Sequence, residues 1–267
     1  MMKIVSGPKV SVIIAAYNAA EYIEECISSI QKQTYDNWEL WICDDASTDD
    51  TLEIITAKAN LDDRIKVLHN DINIFAGASR NKCINKCTGD YVMIQDADDI
   101  SDKKRIELLV NELQKNSVDF VGSGYYLFSD TLGTYDSIIP NNKEPKKADF
   151  LYGIPFCHAS LMFKKECLIN VDGYRISAET TRGEDYDLLM RLYSSGYKGT
   201  NIPDILYGYR VDRDTIKRRK FKYRVDECII RYKGFKSMGL ISPKNMIYVV
   251  KPIIAHFYSL VRNSNIK

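Results

Sequence analysis

Hydrophobic positions along this chain fall into two alternating rhythms, short continuous runs and residues spaced three or four apart. Val10-Ser11-Val12-Ile13-Ile14-Ala15 is the kind of run a buried strand leaves, and Ile23, Cys26, Ile27 and Ile30 then repeat at helical spacing. A second run, Glu39-Leu40-Trp41-Ile42-Cys43, completes a strand, helix, strand unit. Ser47 with Asp50 three residues later marks the start of another helix, on which Leu52, Ile55 and Ala59 share a face, and Ile65-Lys66-Val67-Leu68 reads as a third strand. A helix from about Ala78 to Cys87 leads into a fourth run, Tyr91-Val92-Met93-Ile94, and Ile106, Leu109, Val110 and Leu113 form an apolar stripe on the next helix. Alternation of this kind predicts an α/β fold with a mostly parallel central sheet and helices on both faces, and ligands of such sheets bind beyond the carboxyl ends of the strands.

The pattern changes after Gly124. Val118 to Val121 and Tyr125 to Phe128 read as strand pieces, and the stretch rich in Pro, Asn and Lys from Pro140 to Lys147 reads as a surface loop able to order over a substrate. Phe156 to Phe163 reads as a further strand, a turn follows at Asp172-Gly173, and Leu188, Leu189 and Leu192 place a helix start near Glu184. Towards the C-terminus Phe221, Val225, Cys228, Tyr232 and Phe235 fall on one helical face, beside a basic run of Lys217, Arg218, Arg219, Lys220, Lys222 and Arg224. Met246, Val249, Val250, Ile253, Phe257 and Leu260 repeat in the same way, but Lys251 and Pro252 interrupt any membrane span.

Composition narrows the function classes. With 267 residues, 45% hydrophobic, 27% charged and a net charge of +1, the chain can bury a large core, and its bulk charge gives no sign of a nucleic-acid partner. No charged and apolar leader precedes the first strand, so a cytoplasmic protein is expected. Seven cysteines, an odd number without a Cys-x-x-Cys pair, suit reduced packing thiols better than disulfides or structural zinc.

Acids collect where the strands end. Asp96, Asp98 and Asp99 follow the fourth run, Asp44 and Asp45 follow the second, and Tyr17 and Asn18 follow the first. Carboxylates this close repel one another unless a cation lies between them, and magnesium or manganese shared with diphosphate oxygens is the usual answer. A carboxylate after the second strand can accept from a base or ribose, an aromatic ring can stack on a base, and Arg80 can approach phosphates. The plainer alternatives are helix and turn caps at Asp44, Asp45 and Asp96 to Asp99. At Glu184 and Asp185 the alternative is complementarity to a helix dipole, set against a carboxylate base that takes a hydroxyl proton; the direction of Asp185's pKa shift stays open, because the helix end lowers it while burial raises it.

Six strings then carry a resemblance. Val10-Ser11-Val12-Ile13-Ile14 with Tyr17-Asn18, Cys43-Asp44-Asp45-Ala46-Ser47-Thr48-Asp49, Gly77-Ala78-Ser79-Arg80-Asn81, Gly89-Asp90-Tyr91, Gln95-Asp96-Ala97-Asp98-Asp99 and Gly183-Glu184-Asp185-Tyr186-Asp187 occur in an order and spacing that resemble the family 2 glycosyltransferases of the GT-A fold, over residues 9 to 212. The resemblance implies a catalytic unit over 1–213, with a nucleotide-binding half at 1–100 and an acceptor-binding half at 101–213, and a C-terminal helical extension at 214–267. It implies an inverting transfer of a hexosyl or N-acetylhexosaminyl group from a nucleotide-diphosphate donor, a UDP-sugar above all, to a hydroxyl of a glycan or lipid-linked acceptor in surface polysaccharide synthesis. By the same resemblance Tyr17 packs on uracil, Asp45 binds the base with Asp44 beside it, and Ala15 and Asn18 belong to the donor site, Ala15 where many members have proline. Asp96 lies at the ribose, Arg80 near the diphosphate and Asp98 on Mn2+ or Mg2+. Asp185 is the general base, and Glu184, Asp99 and His158 hold the acceptor or support the site. Asp212, where relatives carry a histidine, is a second metal-ligand candidate.

The string typical of processive synthases is absent, which favours single addition. The alternative function is a sugar-nucleotide sensor or scaffold that binds donor without transfer. For the C-terminal helices the expectations are packing on the catalytic unit or peripheral contact with the cytoplasmic face of the membrane, and a homodimer is left open.

Overall fold

The computed structural model describes residues 7–129, 133–211 and 221–264, without the side chains of Tyr135 and of residues from 259 on. The basic run at 217–220 and Asp212 therefore lie outside the described residues. Strand β1 (Val10–Ala16) pairs in parallel with β2 (Trp38–Asp44) on one side and β4 (Tyr91–Asp96) on the other, and β3 (Ile65–His69) extends β2. Helices α1 (Ile23–Gln31), α2 (Thr51–Leu61) and α3 (Phe75–Lys86) connect these strands. Continuous apolar runs make such strands because both faces are covered. Val12, Ile14, Leu40, Ile42 and Met93 pack with α1 and with α4 (Arg105–Lys115), whereas Ile13, Cys43, Val92 and Ile94 pack with α3 in a separate core.

The second half of the sheet is mixed. β8 (Met162–Lys164) lies antiparallel between β4 and β6 (Phe120–Ser129), β6 runs parallel to β9 (Gly199–Arg210), and the two-residue β5 (Ile100–Ser101) closes the edge against β9. The two strand pieces expected around Gly122 are one strand, with register shifts against β9 near Gly124, and its hairpin partner β7 (Gly133–Ile138) had no sequence signal. The strand expected over Phe156 to Phe163 is mostly a 3-10 turn at His158–Ser160. Local bonds claim that backbone: Arg105 Nη2 donates to the Ala159 carbonyl at 2.8 Å, and Ser160 Oγ donates to the Cys157 carbonyl at 2.8 Å.

α2 starts at Thr51, and the side chain that ties its start is Asp49, which accepts from the Thr51 amide at 3.1 Å and hydroxyl at 2.5 Å; Ser47 instead receives the Asn18 amide. After α5 (Lys165–Asn170), helix α6 (Glu184–Ser194) carries its apolar face into the core with Leu188, Leu189 and Leu192. α7 (Phe221–Ser237) packs across α6 and α8 (Met246–Ser264) packs on α7. The face of α7 differs from the expected one: Cys228 and Phe235 are buried, but Phe221 and Tyr232 are exposed, while Ile230, Arg231 and Gly234 face inward. The reason is an arginine at the centre of the contact. Arg231 lies 5.1 Å over the Tyr186 ring and donates to the Leu151 and Tyr248 carbonyls, which a hydrophobic pattern cannot register.

Arg105 is the largest fully buried side chain and holds the middle of the sheet together. It donates to Gln95 Oε1 and Ser101 Oγ at 2.8 Å each, to the Ile94 carbonyl at 2.7 Å and to Ala159 as above, and burial pushes its pKa down to about 10. Arg105→Leu strands these acceptors without donors, so we expect a loss of about 3 kcal/mol or more in urea denaturation. An unchanged midpoint would show that the buried guanidinium contributes nothing net.

Candidate functional site

The ends of β1, β2 and β4, the first turns of α3 and α6 and the turn before β8 surround a cleft of about 510 Å³. Tyr17, Asp45, Arg80, Asp96, His158, Glu184 and Asp185, all singled out from the sequence, line it together. Asp45 is buried; its Oδ1 accepts from Asn70 Nδ2 at 2.8 Å and the Ile74 amide at 2.9 Å, which fixes the carboxylate at the cleft wall. Tyr17 stands 51% exposed at the rim.

Three residues at this rim hold backbone conformations that side chains disfavour: Asn18 (φ 49°), Ala46 (φ 60°) and Phe75 (φ 68°). Asparagine tolerates that region, but alanine and phenylalanine there are outliers that surrounding bonds must enforce. Asn18 supplies some of them, since its Oδ1 accepts the Thr48 amide at 2.8 Å and its own amide donates to Ser47 Oγ at 3.0 Å. Asn18 thus ties the loops after β1 and β2 and is not among the cleft-lining residues. Asp44 also turns away: its Oδ2 meets His69 Nδ1 at 3.0 Å and accepts the Ser47 amide at 3.2 Å. Of two consecutive residues leaving a strand only one can face the cleft, and that one is Asp45. Ala15 sits inside β1, in register with Cys43 and Asp96, and does not line the cleft either.

Arg80 is the buried cation of the site. Its side chain is 8% exposed and donates to Asp96 Oδ1 at 2.7 Å and to Glu184 Oε1 at 3.0 Å, while its buried Nε has no protein partner among the described residues. His158 meets the Tyr174 hydroxyl through Nε2 at 2.8 Å; burial, helped by the Arg80 charge, pulls its pKa down to about 3, so it stays neutral. Asp99 is buried behind Asp96, accepts from the Tyr207 hydroxyl and the Arg210 amide at 2.7 Å each, and is pushed up to about 8 by burial and by Asp96 and Asp98. Asp98 is exposed at the loop apex outside the cleft lining, and its carbonyl accepts from Arg210 Nε at 2.7 Å. Among the described residues no three His, Cys, Asp or Glu side chains form a ready-made metal cage.

Asp185 lies on the first turn of α6, with Oδ1 accepting the Tyr186 amide at 2.7 Å. Burial and the adjacent Glu184 raise its pKa to about 6, more than the helix end and Arg80 lower it. Asp187 on the same turn is structural: it takes Arg175 Nη2 and Arg191 Nε at 2.7 Å each and so anchors α6. Sequence reasoning missed Asn73, Phe75, Ala76, Thr181, Arg182 and Tyr209 in the lining. Arg182 and Tyr209 lie within or beside segments already singled out, whereas Phe75 sits in no periodic pattern and owes its place to its backbone angle. All seven cysteines are unpaired thiols, and Cys157, the one at the cleft, is pushed up to about 12 by burial.

Comparison with known proteins is consistent from sequence to fold. The sequence model described as Glycosyl transferase family 2 matches residues 11–170. The "Putative glycosyltransferase EpsE" of Bacillus subtilis is 40% identical over 254 residues, which cover 94% of this chain and 90% of that protein. The UDP-Glc:alpha-D-GlcNAc-diphosphoundecaprenol beta-1,3-glucosyltransferase WfaP of Escherichia coli is 30% identical over 256 residues, 94% of this chain and 96% of its own. Among solved structures, S. aureus TarS 1-349 in complex with UDP-GlcNAc superposes with a TM-score of 0.74 at 19% identity, over 94% of this chain and 73% of that one, which shows a shared GT-A fold.

The Asp185 shift has a consequence for stability. A carboxyl whose pKa is higher folded than unfolded holds its proton more tightly in the native state, so its contribution is lost as pH rises from about 4 to about 6. Asp185→Asn, which cannot ionise, is therefore expected to be more stable than the parent by about 1 to 2 kcal/mol at neutral pH, after discounting for partial exposure, and equal to it near pH 4. Urea midpoints at the two pH values measure this, and a variant less stable at neutral pH would contradict it.

Proposed function

This chain belongs to glycosyl transferase family 2, and from that premise we propose that it moves a hexosyl or N-acetylhexosaminyl group from a UDP-sugar to a hydroxyl of a glycan or lipid-linked acceptor, with inversion, in surface polysaccharide synthesis. The supporting observation is that Tyr17, Asp45, Arg80, Asp96 and Asp185, from distant stretches of chain, line one cleft. Tyr17 would lie against the uracil, Asp45 would accept a base N–H, and Asp96 would take the ribose hydroxyls. Asp185 would accept the proton of the acceptor hydroxyl while its oxygen bonds to the anomeric carbon and the bond from that carbon to the diphosphate oxygen breaks, releasing UDP. A pKa near 6 suits this work, since the group is ionised at neutral pH yet more basic than an ordinary carboxylate. Arg80 lines the same cleft, and its guanidinium would bring positive charge to the diphosphate.

The carboxylates at the end of β4 fit a hard divalent cation in charge and in donor type, because Asp96 and Asp98 bring oxygen donors two residues apart on one turn. Asp98, with Asp96, would hold Mn2+ or Mg2+, which when bound neutralises the departing diphosphate. Asp212 lies outside the described residues. Glu184 and His158 face the same cleft and would position acceptor hydroxyls.

The C-terminal helices supply a membrane-facing element in this reading. Ile247, Val250, Ile254, Phe257 and Tyr258 of α8 are all exposed and fall within about a third of the helix circumference, with Lys251 at the border. From residue 212 on the chain carries 14 Lys or Arg against 4 Asp or Glu, whereas the first 211 residues carry 23 against 32. An apolar stripe on the basic part of an otherwise acidic protein matches an anionic bilayer surface. Among the described residues no helix is long and apolar enough to cross a membrane.

Two measurements test these readings. Asp185→Asn is expected to bind UDP-sugar nearly as the parent does while losing transfer by about a hundredfold or more, and the parent rate is expected to fall as pH drops below about 6; retained turnover in the variant removes Asp185 from the base role. In flotation assays the protein is expected to rise with vesicles containing phosphatidylglycerol and not with phosphatidylcholine alone, and Ile254→Asp with Phe257→Asp to abolish it; equal flotation with both lipids contradicts the membrane assignment.

A further inference from the structure

A second hollow, of about 430 Å³, adjoins the cleft on the β6 side. Tyr125, Ile138, Asn141, Tyr152 and Phe156 shape it, and Cys157 lines both spaces. The two also meet through a pair of rings: Tyr125 of the hollow and Tyr209 of the cleft stand 6.2 Å apart between centroids. The loop expected to order over a substrate, from Pro140, forms one wall.

Among the described residues the lining holds no Lys, Arg or His. Its single acid, Asp149, already accepts at Oδ2 from Asn142 Nδ2 at 2.8 Å and from the Lys146 amide at 2.7 Å. An anionic group such as a diphosphate would lose water there and meet no cation of the lining, since Lys251 of α8 reaches the Tyr152 carbonyl at 3.3 Å but does not line the hollow. A neutral sugar differs: its C–H face can rest on an aromatic ring, and its hydroxyls can bond to an amide such as Asn141, which is exposed and has no partner among the described residues. Tyr152, 63% exposed, presents such a ring and makes a T-shaped contact with Tyr248 of α8 at 5.3 Å between centroids. We propose that this hollow is a subsite for uncharged sugar units of the acceptor beyond the unit that is attacked, so that the acceptor is an oligosaccharide chain. The proposal rests on the transferase reading above, because the neighbouring cleft must be the place of transfer.

The test uses the full chain and neutral probes: glucose, galactose and N-acetylglucosamine, each beside its linear trisaccharide, with UDP titrated in the same samples. At least one trisaccharide is expected to bind about tenfold more tightly than its monosaccharide. Tyr152→Ser and Asn141→Ala, both exposed positions, are each expected to erase that preference and leave UDP affinity unchanged. The subsite is overturned if no trisaccharide outbinds its monosaccharide, if the preference survives in both variants, or if inorganic pyrophosphate displaces the trisaccharide. UDP binding without any trisaccharide preference removes the subsite alone; failure of UDP to bind removes the reading beneath it and the subsite with it.

Discussion

Arg80 joins Asp96 at the end of β4 to Glu184 on the first turn of α6, and through that pair of bonds the two halves of the chain share one cleft. A guanidinium this deeply buried is costly alone, and so are two carboxylates close together; each condition relieves the other. Arg210 does the same work one layer further back, where its amide meets Asp99, its Nε meets the Asp98 carbonyl, and its Nη2 reaches Glu25 of α1 at 2.5 Å. Negative charge gathered at one rim is thus held by arginines from α3 and β9, and the acid loop after β4 cannot relax away from the cleft without breaking both sets of bonds.

Such a rim stores strain as well as charge. Ala46 and Phe75 keep left-handed backbone, and Asp99 and Asp185 hold raised pKa values of about 8 and about 6. None of these conditions stabilises the fold; each is tolerated because two separate cores, one on each face of the sheet, and the buried Arg105 supply the cohesion. A site prepared in this way has less to rearrange when a charged ligand arrives, which is where preorganisation gains its effect.

What the sequence disclosed follows the same division. The first four strands were legible because strands covered on both faces appear as unbroken apolar runs, and the acids were legible because three clusters of polar residues follow strands that end on one edge of such a sheet. Asp44 and Asp45 were told apart only through the family resemblance, since composition and spacing do not show that Asp44 turns away to His69. Phe75 could not be found at all, because its position is set by a backbone angle. The face of α7 was misjudged for a related reason: Arg231 and Gly234 form its contact with α6, the glycine because a Cβ there would lie 2.3 Å from Met190 Sδ, and neither type counts as apolar in a periodicity argument.

On the proposed reading, the order of surfaces along the molecule matches the order of groups along one kind of acceptor. A lipid-linked glycan begins in the bilayer, continues through an anionic diphosphate and ends in neutral sugars. The protein presents, in sequence, the apolar stripe of α8 in its basic segment, the hollow at Tyr152 and then the cleft with Asp185. Tyr152 links the first two, since its ring packs on Tyr248 and its carbonyl accepts from Lys251 Nζ at 3.3 Å, both on α8. Orienting α8 on a surface would therefore also orient the hollow, and the position of the attacked hydroxyl relative to Asp185 would be set by how many sugars separate it from the lipid. Length of the acceptor, rather than recognition of one terminal sugar alone, then becomes a determinant of which glycan is extended.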